Sequence, residues 1–124
     1  MDIARYFVAT GAVLGGLGMV MGIAMGVSED FTLSPAHAHL NLVGWVSLVL
    51  FGLAYRVELA KTGSLATVHY WMASLGAIVL PLGIYVSMVR NQPAIAIIGA
   101  ILSLASMVIF IVNVWRAPHG AQQR

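Results

Sequence analysis

Polar residues divide the chain into four apolar runs. The first covers about residues 4–27 and stops at Ser28-Glu29-Asp30. The second covers about 35–56 and closes on Arg56; the third covers about 67–89 and stops at Arg90; the fourth covers about 93–116 and closes on Arg116. A bilayer core is crossed by roughly 20 apolar residues in an α-helix, and every run has that length. None alternates with period two, as the strands of a membrane barrel do. The pattern predicts an all-α membrane protein, a single four-helix transmembrane domain over residues 1–124. Its connections are short, so consecutive helices should be antiparallel neighbours. Pro81 falls inside the third run and should kink it. Ala24-Met25-Gly26 in the first run resembles a signal-cleavage site, but the apolar stretch exceeds a typical signal core, so the run is read as a mature helix.

Composition agrees with a lipid-facing chain. Of 124 residues, 60% are hydrophobic and 8% charged, against about 25% charged in soluble domains. Mean hydropathy is +0.95. The absence of cysteine excludes a disulfide framework, a thiolate metal site and a Cys nucleophile. The net charge of +2 is scattered at run ends, which gives no basis for nucleic-acid binding.

Those charges bear instead on orientation. With four spans both termini share a side, and Arg5, Arg56, Lys61, Arg116 and Arg124 fall there, with Arg90 alone opposite. The excess of basic residues on cytoplasmic segments places both termini in the cytoplasm. Tyr6, Tyr55, Tyr70, Trp71 and Trp115 fall near span ends, where an interfacial aromatic belt would lie. In the first run, Gly11-x3-Gly15 and Gly18-x3-Gly22-x3-Gly26 form a strip of small residues that another helix can approach closely, from within the chain or from a second copy.

Ionisable residues inside a membrane are costly and mark candidate functional positions. Asp2, Glu29, Asp30 and Glu58 lie at ends or loops, and His119 lies in the tail. His37, His39 and His69 remain. Ser34 can cap the second helix and Pro35 suits its first turn, which puts His37 and His39 near the outer face. Two residues apart on a helix, they project about 200° apart, so one metal ion should not take both. His37 and Asn41, four apart, share a face. His69, beside Tyr70 and Trp71, reads as a belt residue about a membrane thickness from the other two. Isolated membrane histidines suit haem, whose iron is bound axially by neutral imidazole.

The stretch His37-Ala38-His39-Leu40-Asn41-Leu42-Val43-Gly44-Trp45, continuing to Phe51-Gly52-Leu53-Ala54-Tyr55, resembles the haem-binding helices of the catalytic subunit of haem-copper oxidases and nitric oxide reductases. In that family the second helix carries a low-spin haem ligand, and the tenth carries a His-x-His pair that binds both haems. The family's twelve helices form three arcs of four, and this chain resembles one arc. The resemblance implies His39 as an axial haem ligand, His37 as a second, and Arg90 as the contact for haem propionates. The family's copper histidines and cross-linked tyrosine have no match: there is no adjacent His pair, position 41 is Asn and position 43 is Val.

The expected function is therefore a haem-b-binding protein of the bacterial inner (cytoplasmic) membrane that transfers electrons and lacks the copper site. Whether it is itself an enzyme is left open, as is its redox partner. Cofactor-binding candidates are His39, His37, Arg90 and Asn41, with haem iron on His39 and His37. A haem with two histidine ligands would need a second copy of the chain, which implies a homo-oligomer: a trimer by the family's arcs, or a dimer with one haem on its axis. The other class considered is a non-haem accessory protein, handling copper or a small gas, aiding assembly or serving as a structural subunit.

Overall fold

The computed structural model describes residues 2–118; His119 and Arg124, considered above, lie outside them. The described residues form four helices, each long and apolar enough to cross a membrane: α1 (Ile3–Ser28), α2 (Ser34–Arg56), α3 (Ser64–Arg90) and α4 (Ala94–Trp115). No strand occurs among them.

The boundaries follow local chemistry. Asp2 Oδ1 accepts from the Arg5 amide at 3.1 Å and caps α1. Glu29 and Asn91 close α1 and α3 in the left-handed conformation, with φ of 54° and 53°. The third helix starts three residues earlier than its apolar run suggests, because Gly63 turns the chain at φ 134° and the helix begins directly after it at Ser64, with Ala66 already buried in the core. Ser34 is not a cap. It is already helical, and its hydroxyl donates backward to the Phe31 carbonyl at 2.7 Å. Pro35 occupies the first turn, where its missing N–H costs nothing.

α2 is not uniform. Ser34–His39 is α-helical, Leu40–Ser47 is a π-helix, and Leu48–Arg56 is α-helical again. The Ser47 hydroxyl donates to the Leu42 carbonyl, five residues back, at 2.8 Å. A π-segment widens a turn by one residue and is often found at functional sites.

Two close helix pairs build the bundle. α1 lies on α2 through its glycines. A methyl at Gly11 would meet Val49 at 2.9 Å, one at Gly15 the Trp45 ring at 2.7 Å, and one at Gly18 the Asn41 amide at 2.5 Å. The strip is thus filled from within the chain except at Gly26, where a methyl would meet open space. α3 lies on α4 still more closely: a methyl on Gly83 would strike the Ala96 backbone, and one on Gly99 the Leu80 backbone. Small residues permit this approach where lipid supplies no hydrophobic drive. Pro81 is buried beside this contact, within one continuous helix.

At one end of the bundle Asp2, Arg56, Lys61 and Pro118 line a hollow of about 570 Å³. The loop after α2 is tied to α4 there, the Lys61 amide donating to the Asn113 carbonyl at 2.9 Å. The opposite end carries the loop before α2 and the turn after Arg90. Three of the five expected belt aromatics, Tyr6, Trp71 and Trp115, are exposed on the helix surface. The other two, Tyr55 and Tyr70, are buried. They belong to the core, and with them goes His69.

Candidate functional site

The Arg90 end holds the His-x-His pair. Its two rings point apart, as helical geometry requires. His39 is exposed, whereas His37 is half-buried and its Cε1 would meet a methyl on Gly22 of α1 at 3.0 Å. Asn41 joins His37. Its amide donates to the His37 carbonyl at 2.9 Å and lies 3.3 Å from the ring Nδ1. This bond sits where the α-helical turn passes into the π-segment, and the side chain serves a carbonyl at that junction. Gly18 and Gly22 make the space that Asn41 and His37 fill.

His39 is oriented differently. Its Nδ1 lies 2.8 Å from the Pro35 carbonyl oxygen. A carbonyl can only accept, so Nδ1 carries the proton, and the neutral ring keeps its free lone pair on Nε2. A histidine whose Nδ1–H is held by a backbone carbonyl is set up to bind a metal through Nε2. The exposed ring presents that nitrogen outward from the bundle. Among the described residues no group of three or more His, Asp or Glu side chains could enclose a metal ion. Haem needs no such cage, because its porphyrin supplies four of the iron's ligands and the protein need add only one or two.

Arg90 is exposed at the last turn of α3. The first turns of α2 pack on α3, so Arg90 and His39 share the same end of the bundle. The structure does not bring His69 to them. It bonds to Tyr55, eighteen residues further along α2 than His37, which is about 27 Å at roughly 1.5 Å per residue.

His69 itself is not a belt residue. Val68 and Trp71 take the outward face of α3, and the helical turn directs His69 inward, where it is fully buried. Its Nδ1 lies 2.9 Å from the Tyr55 hydroxyl, which accepts from Asn113 Nδ2 at 2.8 Å. Three helices are joined by these two bonds. The fourth closes over them through Phe7, whose ring centroid is 4.9 Å from that of His69. Phe51 and Phe110 complete the enclosure at 4.7 and 5.5 Å. With Asn113 donating to the hydroxyl oxygen, the hydroxyl proton goes to Nδ1. The ring proton then sits on Nε2, which has no oxygen or nitrogen partner and lies among phenyl rings whose faces accept weakly. A further bond, between the hydroxyls of Thr10 and Tyr70 at 2.8 Å, fastens α1 to α3 nearby.

Sequence reasoning missed this assembly. Asn113 was its available signal, a lone amide inside the apolar run Ile109-Phe110-Ile111-Val112-Asn113-Val114-Trp115. The π-segment left no comparable mark. No family model, curated protein or solved structure matches the chain.

Proposed function

We propose that this chain is a haem-b-binding protein of the bacterial inner membrane, with His39 as an axial ligand of the iron. The observation that carries the reading is the His39 ring: exposed, with Nδ1 fixed by the Pro35 carbonyl and Nε2 free. The resemblance of its surroundings to the haem-binding helices of haem-copper oxidases supports the same residue. Bound haem would supply one-electron redox chemistry, and the chain would serve as an electron carrier. Arg90, a cation at the same end, suits the anionic propionates. His37 is the second candidate ligand. Its contacts with Gly22 and Asn41 direct it into the chain, so it suits a different iron from the one on His39.

Among the described residues no histidine faces His39. The second ligand would come from another copy, in a closed ring whose faces repeat. The family's arcs favour a trimer, and a dimer with one haem on its axis is the other closed form. The glycine strip of α1 is filled by α2, so subunit contact is assigned to the face bearing His39. Both termini are placed in the cytoplasm by the distribution of Lys and Arg.

The deciding experiment is the optical spectrum of protein produced with haem available. The wild type should show a Soret band and sharp reduced α and β bands, His39→Ala should lose them, and His37→Ala should alter them less. Full haem with an unchanged spectrum in His39→Ala would show the assignment to be wrong. A haem-loaded monomer by light scattering with detergent correction would rule out the shared haem.

A further inference from the structure

A groove runs up the outside of the bundle from the end that bears Asp2 and Arg56, between the start of α1 and the end of α2. It has a volume of about 410 Å³, and its walls are mainly apolar. Arg5 and Arg56 stand at its mouth. Val8, Ala9 and Ala12 line one wall, and Leu53 lines the other. The spacing explains the layout. Residues 8, 9 and 12 are three, four and seven positions after Arg5, and residue 53 is three before Arg56. Helical periodicity therefore sets each arginine at the head of an apolar stripe. The floor is closed by Gly52, where a methyl would lie 2.7 Å from Val8 and 2.8 Å from the Ala4 carbonyl. From Arg5 to Ala12 the groove reaches about 10 Å along α1.

We infer that this groove binds an anionic phospholipid of the adjacent leaflet. The two guanidiniums would take the headgroup phosphate and the apolar walls an acyl chain. Planar guanidinium groups match phosphate oxygens in pairs. Both arginines are exposed and lie at span ends, the depth of a headgroup. Among the described residues the one carboxylate at the mouth is Asp2, engaged with the α1 backbone through the Arg5 amide, which sets two positive side chains against one negative. Alanine and glycine along the walls leave a shallow channel that suits a flexible chain. A second copy of the protein is a poorer occupant. At this end it could offer the cations only Glu58 and an Asp2 already engaged in capping.

The test is native mass spectrometry of the intact protein from mixed micelles containing phosphatidylglycerol and phosphatidylcholine of identical chains. The wild type should retain phosphatidylglycerol preferentially. Each of Arg5→Gln and Arg56→Gln should lower that preference about fivefold, the effect expected of one basic residue at an anionic surface. Arg116→Gln, which alters a cation outside the groove, should leave it unchanged. Ala9→Leu, which fills the channel without removing charge, should reduce retention of both lipids. Equal retention of the two lipids by the wild type overturns the proposal, and so does a loss in Arg116→Gln equal to that in Arg5→Gln. Displacement of the lipid by millimolar inorganic phosphate would show an anion site without a lipid groove. A groove occupied by a second copy would appear as a lipid-free oligomer that Ala9→Leu dissociates.

Discussion

Tyr55→Phe removes one oxygen and should destabilise the bundle well beyond what its size suggests. The hydroxyl is the only link between His69 on α3 and Asn113 on α4. Without it, one Asn113 N–H and His69 Nδ1 both lose their partner, and both residues are buried. A buried polar group left unpaired costs about 1–3 kcal/mol. Interhelical hydrogen bonds in membranes are worth less, about 0.6 kcal/mol on average and up to about 1.7. Two bonds at about 1 kcal/mol each, between that average and that maximum, give a loss of about 2 kcal/mol for Tyr55→Phe. Asn113→Leu should cost about half as much, since the hydroxyl keeps its bond to His69. The double variant should then cost less than the two singles added. Reversible unfolding of the purified protein in detergent, for the wild type, both singles and the double, measures the coupling. A coupling energy below about 0.3 kcal/mol, the scatter expected of independent sites, would mean that the bonds do not hold these helices together.

Gly99→Val should prevent normal packing of α3 on α4, because the added atoms meet the Leu80 backbone, which cannot turn aside; the expected loss is about 3 kcal/mol or more. Gly26→Ala, facing open space, should leave the unfolding midpoint unchanged or higher. Reporter fusions at residues 60 and 92 should lie on opposite sides of the membrane, and a shared side would refute the orientation. Arg90→Gln should lower haem retention or shift the midpoint potential; no change in either would make Arg90 an ordinary interfacial cation.

The four spans were legible because membrane helices are written in length and polarity, and both survive any packing arrangement. Their mutual contacts were legible only in part. The glycine strip announced a close approach but not its partner; the partner is set by Trp45 and Asn41, whose side chains need the space that Gly15 and Gly18 leave. His69, Tyr55 and Tyr70 were misplaced for a common reason. Residues near a span end are interfacial on the outward face of a helix and core on the inward one, and nearly uniform apolarity hides which face is which. At the His-x-His pair, spacing alone gave the divergence of the rings. The bond to the Pro35 carbonyl needed coordinates, since nothing in the sequence states which ring nitrogen a backbone oxygen will engage.

The π-segment of α2 works as a crank. It lies between the turn bearing His37 and His39 and the turn bearing Tyr55, and the residue added to its coil fixes the angle between them. Deleting one residue between Leu40 and Ser47 would let the helix relax to ordinary winding with its two ends still close to in phase, whereas rewinding the segment as an α-helix with every residue kept would rotate one end about 100° against the other. Tyr55 is held by three helices, so the histidine end would do the turning. His39 would leave its outward direction, and Asn41 would leave the recess at Gly18. A shorter α2 with ordinary winding would therefore keep its two ends aligned, and an α2 of full length with ordinary winding would not.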